Sequence, residues 1–451
     1  MNRRKVDTIV IGSGQGGVPL AVDLAKSGQQ VLLFERGPLG GCCLNYGCTP
    51  SKMLLASAHA ALRARQSDNI GIHAEVTVDF PSVMERIRTT KSSWSEGVGT
   101  RLHDAGVEVI QEEAHFAGER LVQGDDILAE ADTVVINTGK SPLIPPIDGL
   151  KEMHFLTYET IWGLEELPES MAIVGGGYVG TELGQAFAAL GSRVHIIESS
   201  ERPIAHEDPD VSQIIKEQLE EDGVQFHLDS RAESVSFEEG IYDIELSKGE
   251  PVEASCLVIA VGRTPNTERL EASQGGLELD ETGHIQVNDQ FETSAEGVYA
   301  IGDVTGQPAF THISWEDYRR LNAILDGEDR SQMDRVLGYT FFTYPQIGRA
   351  GLTLSQAEQQ GYQANQVTLH LDQVARATEV GFTRGLYRMV VDTETDKILG
   401  ATLVGPAAGE LIHIFITLME SGATWQVLEQ GQFIHPTFAE GLPSLARLLK
   451  E

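Results

Sequence analysis

A chain of 451 residues is too long for a single hydrophobic core and is expected to divide into about two to four domains. With 67 acidic against 33 basic residues its formal charge is −34, which excludes nucleic acid and anionic membrane as natural partners and implies a solvated acidic surface. Four cysteines in this length exclude a secreted disulfide scaffold and point to a reducing compartment.

The opening Met1 to Lys5 and the apolar run Val6 to Ile11 have the charge pattern of a signal peptide. The run is too short, carries Asp7 and leads into glycines instead of a cleavage site, so it reads as a buried parallel strand. Gly12-Ser13-Gly14-Gln15-Gly16-Gly17 follows, then a helix to about Lys26, a strand at Val31 to Phe34, and Glu35. This is the G-x-G-x-x-G unit in the setting that dinucleotide binding requires. Gly12 permits the turn, Gly14 lets backbone approach a pyrophosphate, Gly17 lets helix and strand pack, and Glu35 accepts from a ribose.

Cys43 and Cys48 come next, five positions apart in Gly40-Gly41-Cys42-Cys43-Leu44-Asn45-Tyr46-Gly47-Cys48-Thr49-Pro50-Ser51-Lys52. Pro50 reads as a first-turn proline, which places Cys48 just ahead of a helix N-terminus, where free N–H groups favour a thiolate. A close sulfur pair with one member activated, beside a nucleotide unit, suggests a two-electron relay. Helical stretches are predicted over Lys52 to Ala64 and Pro81 to Leu102, and a strand-rich stretch from Val107 to Val135. Ile136-Asn137-Thr138-Gly139 closes the first unit, and Pro142, Pro145 and Pro146 mark a crossing into a second.

That second unit repeats the first at one constant offset. A strand at Met171 to Val174 leads into Gly175, Gly177 and Gly180, a helix over Thr181 to Leu190, a strand at Val194 to Ile197, and the acid Glu198. Two dinucleotide sites in one chain imply two dinucleotides with a hydride passing between them. Glu198 suits a free ribose 2′-hydroxyl and repels a 2′-phosphate, and Ser199, Ser200, Glu201 and Arg202 supply only one base, so NAD is favoured over NADP. Strands at Gln225 to Leu228, Ile241 to Leu246 and Cys256 to Val261 complete this unit, with Cys256 as a buried core residue. Val298 to Ile301 is a short apolar strand ending in Gly302 and an exposed acid, Asp303. From about Arg335 strands at Tyr339 to Phe342, Val367 to Leu371, Tyr387 to Asp392 and Ile398 to Val404 alternate with helices. The apolar run Leu411 to Met419 is interrupted by His413 and far too short to span a bilayer, so a soluble, cytoplasmic protein is expected. This last unit carries no fingerprint and is expected to serve assembly or to complete a site.

The two fingerprints, the Gly-Gly-x-Cys-x4-Cys-x-Pro-Ser-Lys stretch, and His435-Pro436-Thr437-Phe438-Ala439-Glu440 together resemble the class I pyridine nucleotide-disulfide oxidoreductases over essentially the whole chain. The resemblance implies an α/β fold with two Rossmann-like domains and a C-terminal α+β dimerisation domain. The expected bounds are 1–147 with 266–334 for FAD, 148–265 for NAD(P) and 335–451 for the interface. It implies that Gly12, Gly14, Gly17 and Glu35 hold FAD, with Thr138 and Gly139 near its chain and Asp303, after Gly302, at its ribityl part. Cys48 becomes the flavin-side thiol and Cys43 the interchange thiol. Lys52, paired with Glu182, sits by the flavin, and Tyr178 covers the nicotinamide pocket. His435, oriented by Glu440, becomes the acid/base that serves the other subunit's disulfide, which makes the protein a homodimer. An imidazole near a thiol both takes its proton and stabilises the anion, and a carboxylate behind it fixes the tautomer.

Cys42 stands where relatives usually carry threonine and reads as a small filler. Ala439 replaces a common serine. The tail from Leu445 lacks a cysteine pair, and no N-terminal Cys-x-x-Cys domain precedes the first strand, so mercuric reductase proper is not the leading expectation. The run Ala309 to Arg319 is nevertheless closer to the mercuric- and copper-reductase-like branch than to lipoamide or glutathione enzymes. The leading expectation is electron transfer from NADH through FAD and Cys43–Cys48 to a small disulfide. A soft metal ion as acceptor, or dihydrolipoamide dehydrogenase chemistry, are the alternatives. A redox-sensing flavoprotein scaffold fits least, because a scaffold has no use for a base. No resident metal site is expected.

Overall fold

The structure is a computed structural model that describes residues 2–450; Met1 and Glu451, the outer bounds of the first and last expected domains, lie outside the described residues. The first sheet has seven strands. Its parallel part runs Glu108–Ile110, Val31–Phe34, Asn2–Ile11 and Ile127–Ile136, and Val298–Ala300 joins the last of these in parallel. Leu121–Gln123 and His115–Gly118 extend it antiparallel. Parallel strands are covered on both faces, so they read as unbroken apolar runs; all four residues of Val31–Phe34 are buried. The register sets Ile11 beside both Phe34 and Ile136. Gly12, Glu35 and Asn137 therefore emerge together at the carboxyl ends of neighbouring strands, where open α/β sheets bind ligands.

The second sheet is four-stranded and wholly parallel, in the order Val224–His227, Arg193–Ile197, Ser170–Val174, Cys256–Ile259. A three-stranded antiparallel sheet of Ala232–Glu238, Ile241–Leu246 and Val252–Ala254 backs it. The proline-marked crossing is a short antiparallel pair, Lys140–Pro142 against Arg263–Pro265. The third large sheet has five antiparallel strands, in the order Gly338–Phe341, Gln346–Gly351, Ile398–Gly405, Leu386–Asp392, Ala364–His370. Helix Ala408–Glu420 lies against it so closely that a Cβ at Gly348 would run into the Ala408 backbone.

One helix ties these parts together. Cys48–Arg65 buries Leu54, Leu55, Ala58 and Leu62 in a core shared with Leu183, Phe187 and Leu190 of helix Tyr178–Leu190 and with Ile347 of the third sheet. Each fully buried leucine contributes about 1.5–3 kcal/mol relative to exposure, so the helix that carries Cys48 is fixed against both the second unit and the third sheet.

Candidate active site

The first glycine turn is shaped by Asn137. Gly12 has φ +104°, and a Cβ at Gly14 would stand 2.8 Å from the Asn137 side-chain oxygen. That oxygen accepts the Gly17 N–H at 2.9 Å, while the Asn137 amide nitrogen donates to Ile301 O at 2.9 Å, so the turn, the helix and the strand ending at Ala300 share one side chain. The Glu35 carboxylate accepts from Ser13 N at 2.9 Å and from Gly37 N at 2.7 Å. The second turn repeats this bond for bond: Glu198 accepts from Gly176 N at 2.7 Å and from Ser200 N at 2.7 Å, and Gly175 has φ +112°. Both acids thus brace a glycine turn whose free amides and helix N-terminus suit a pyrophosphate. In the second copy, as in the first, the third glycine lies hard against the first, since a Cβ at Gly180 would collide with Gly175 O. Gly177 is the N-cap of the helix that follows.

A cavity of about 1960 Å³ opens from the first turn and is also lined by Cys43, Cys48, Lys52, Tyr178, Glu182 and Asp303. It exceeds the usual cleft of about 300–1,000 Å³ for one small ligand and has the room that an extended dinucleotide needs. Thr138 and Gly139 line it as well, with the Thr138 hydroxyl donating to Asn266 O at 3.1 Å. Gly41 presses on the fingerprint, since a Cβ there would stand 2.7 Å from Gly14 Cα. The sulfur-bearing segment therefore begins on the nucleotide turn itself. At the far side Gly302 N donates to Asp317 at 2.9 Å. Asp303 corrects the sequence reading: its side chain is only 19 % exposed and faces Arg263 at 3.5 Å. Burial raises its pKa, and the charges of Arg263 and Lys140 oppose that rise. Arg263 comes from beyond the second sheet, so nothing local to Asp303 announces the burial.

Gly41–Asn45 forms a short helix that carries Cys43, and Cys48 is itself the first residue of the next helix, with Gly47 as an N-cap that supplies no side chain. The amides of that first turn stay free to act on the sulfur. Cys48 Sγ lies 3.0 Å from the Thr311 hydroxyl. A hydrogen bond from Cys43 brings the Cys48 thiol down to about 6 against the opposing effect of burial, with Thr311, Lys52 and Arg263 assisting. Cys43 is pushed up by the same bond and by burial. The Thr311 hydroxyl, Lys52 and Arg263 thus favour the anion on Cys48, and Cys43 keeps its proton. Burial pushes Cys42 up to about 12 and Cys256 to about 11, which disfavours the thiolate of both. Alkylation of Cys48 by a neutral haloacetamide is expected to show a midpoint near pH 6, with thiolate above it and thiol below. Thr311→Val should move the midpoint upward, and a wild-type midpoint near the free-thiol value of about 8.5 would contradict the assignment.

Lys52 Nζ meets Glu182 at 2.6 Å and stands 4.7 Å above the Phe342 ring. The second Glu182 oxygen accepts from Phe342 N at 2.8 Å, so this buried carboxylate is satisfied on both sides. Tyr178 opens its helix with its ring stacked 3.6 Å from that of Phe341. Thr311, Phe341 and Phe342 were not singled out as site residues; their signals were the run Ala309 to Arg319, which contains Thr311, and the apolar doublet at the end of a strand.

His435 Nδ1 and Glu440 are 2.7 Å apart, so the expected dyad is formed. Within one chain it lies outside the cavity, with the imidazole 72 % exposed. Gly175, Gly177, Gly180 and Glu198 also lie outside that cavity: the first two precede Tyr178, Gly180 is in the first turn of its helix, and Glu198 follows the strand Arg193–Ile197.

Comparison with known proteins agrees with this architecture. Residues 6–317 match the family described as pyridine nucleotide-disulphide oxidoreductase, and residues 338–446 match its dimerisation domain. The chain is 31 % identical to a mercuric reductase of Lysinibacillus sphaericus, covering 98 % of this chain and 82 % of that one. It is 33 % identical to a dihydrolipoyl dehydrogenase of Thermus scotoductus, covering 98 % and 97 %. The solved Cu(II) complex of the HOCl-induced flavoprotein disulfide reductase RclA from Escherichia coli superposes with a TM-score of 0.90 at 31 % identity, over 100 % of both chains. Among the described residues no helix is long and apolar enough to cross a membrane. With both domains matched and the sulfur pair beside a nucleotide turn, the chain belongs to the pyridine nucleotide-disulphide oxidoreductases, FAD-dependent enzymes that take electrons from NAD(P)H and assemble through their dimerisation domain.

Proposed function

We propose that this enzyme is a cytoplasmic NADH-dependent reductase of a small disulfide, working as a homodimer whose two active sites are each built from both chains. The observation that carries the reading is the Cys43–Cys48 pair, with Cys48 drawn down to about 6, in one cavity with the first glycine turn and the Lys52–Glu182 pair. FAD fits the first turn, where Gly12 takes φ +104° and a Cβ at Gly14 would clash with the Asn137 side chain, so only glycines keep this tight turn. Gly12, Gly14, Gly17 and Glu35 would hold its nucleotide end, Thr138, Gly139 and the Gly302–Asp303 turn its chain, and Lys52 the flavin end. The chemistry FAD supplies when bound is transfer of an electron pair from the nicotinamide to the sulfur couple. We assign the second turn, Gly175 to Gly180 with Glu198, to NAD, and the domain bounds to 1–147 with 266–334, 148–265 and 335–451. The pairing of Val298–Ala300 with Ile127–Ile136 supports the discontinuous first domain.

The chain's own residues then carry the substrate step. Cys43 gives its proton to the partner subunit's His435, held in orientation by the partner's Glu440, and its sulfur attacks one sulfur of the substrate disulfide. The substrate S–S bond breaks, and the departing thiolate takes that proton back. The Cys48 thiolate attacks Cys43, which releases the second substrate thiolate and leaves Cys43–Cys48 oxidised by the electron pair the substrate has gained. Tyr178, at the start of the second-turn helix and lining the same cavity, covers the nicotinamide side.

Glu198 supports NADH over NADPH, and Arg202 does not offset it: its guanidinium donates inward to Ala205 O at 3.1 Å. A soft metal ion is the second reading for the acceptor, favoured by the Cu(II) complex of the Escherichia coli relative. Steady-state oxidation of NADH and NADPH against lipoamide, glutathione disulfide, other small disulfides, Cu(II) and Hg(II) decides between them. NADH is expected to exceed NADPH in kcat/KM by about tenfold or more, with turnover on a disulfide. Turnover confined to the metal ions would favour the second reading, and no turnover with any acceptor would refute both.

A further inference from the structure

Tyr178 and the loop after Glu198 belong to one domain, yet both are tied to a strand of another. Tyr339 and Phe341 alternate along Gly338–Phe341, the edge strand of the five-stranded C-terminal sheet, and point to one face. Phe341 stacks on Tyr178, and the Tyr339 ring stands 5.3 Å from Phe341 and 6.2 Å from Tyr178. The Tyr339 hydroxyl donates to Glu207 Oε1 at 2.7 Å, and Arg349 of the neighbouring strand donates to Glu207 Oε2 at 2.9 Å. This pair is sealed from water, with side-chain exposures of 5 % for Arg349 and 0 % for Glu207.

Glu207 lies in the loop that follows Glu198, the segment that faces the adenosine ribose if the second turn holds NAD. The loop is pinned at its start by Ser200 N on Glu198, at its middle by Arg202 on Ala205 O, and at its end by Glu207. Beyond Glu207 the adjoining Asp208 is held at 2.7 Å by Arg388 of the same C-terminal sheet. A buried ion pair adds little net stability over apolar residues of the same size, so its more informative consequence is geometric. Here one carboxylate receives a bond from the tyrosine beside the nicotinamide gate and a bond from the arginine that anchors the adenosine-side loop.

We infer that Glu207, gripped by Tyr339 and Arg349, is a positioning residue through which the C-terminal domain sets both ends of the NADH pocket at once. This rests on the assignment of the second turn to NADH. A pocket whose two ends share one rigid anchor binds an extended dinucleotide without first ordering each end, and loosening the anchor costs affinity before it costs chemistry. The sulfur side meets the same strand through Phe310, stacked 5.2 Å from Tyr339, and through Phe342 N on Glu182, but neither contact uses the Tyr339 hydroxyl or the Glu207 carboxylate.

The test uses the full-length, FAD-loaded enzyme in anaerobic stopped flow, with flavin bleaching by NADH as the first half-reaction and oxidation of the reduced enzyme by dithionitrobenzoate as the second. Tyr339→Phe removes one hydroxyl and leaves the aromatic stack. It is expected to raise the half-saturating NADH concentration by about tenfold, with the second half-reaction and the thermal midpoint essentially unchanged. Glu207→Gln should move the same parameter the same way, and Tyr339→Phe added to Glu207→Gln should cost less than the two single effects combined. Unchanged half-saturation in Tyr339→Phe would overturn the inference. So would a parallel loss in both half-reactions and in the midpoint, which marks a merely structural bond. Wild-type enzyme whose flavin NADH fails to bleach would instead overturn the assignment of the second turn itself.

Discussion

Cys43→Ser is expected to abolish disulfide reduction while NADH still bleaches the flavin. Cys43 lies on the short helix Gly41–Asn45 as the protonated partner of Cys48, and a hydroxyl in its place can hydrogen bond to Cys48 but cannot form or break a bond to sulfur. Loss of a covalent nucleophile lowers turnover on the order of 10⁴-fold or more. The nucleotide turns, Lys52 and Glu182 are untouched, so the first half-reaction should survive in stopped flow. Cys48→Ser should be equally inactive toward disulfides, because the mixed disulfide on Cys43 would have no second sulfur to resolve it. Turnover retained in either variant would remove the relay.

His435→Ala is the second large effect. Cys43 is pushed well above the ordinary thiol range by its bond to Cys48 and by burial, so at neutral pH it carries its proton and needs a base to release it. A positioned imidazole is worth about 10²–10⁴-fold in such a transfer, and the variant should lose turnover by that order. Because the thiolate fraction of Cys43 rises with pH, the deficit should shrink as the pH is raised, whereas a loss through misfolding would not recover. Glu440→Gln keeps a hydrogen-bond partner at Nδ1 but removes the charge that stabilises imidazolium, and should cost less than His435→Ala. A pH-independent deficit in His435→Ala, read from kcat/KM profiles, would argue against the base.

Local pattern carried much of this. The glycine spacings and their acids were legible because a tight turn, a close helix–strand approach and an acid braced on the turn each demand particular residues at fixed positions, and Val31–Phe34 appears with the bounds its apolar run gives. Cys48 was read as preceding its helix but begins it, a one-residue difference that strengthens the reach of the helix amides. The strand Gln346–Gly351 went unread because Gly348, Arg349 and Gly351 break the β-branched alternation that marks a strand. Its glycines are there so that helix Ala408–Glu420 can lie close, and its arginine is there for Glu207. Asp303 was read as exposed because its partner, Arg263, reaches it only once the Arg263–Pro265 strand has paired with Lys140–Pro142. Such meetings depend on topology and have no signature in local sequence.

The claim on which the account turns is that the sulfur couple of one chain is served by the imidazole of the other. Hybrid dimers test it most directly. Inactive Cys43→Ser and inactive His435→Ala protomers, unfolded together and refolded as an equal mixture, form mixed dimers in which one site draws an intact cysteine pair and an intact histidine from opposite chains. Recovery of about one quarter of wild-type disulfide turnover is expected from random pairing in a two-fold dimer. Recovery of no activity, with wild-type protein refolding normally under the same conditions, would place both groups in a single chain and contradict the account.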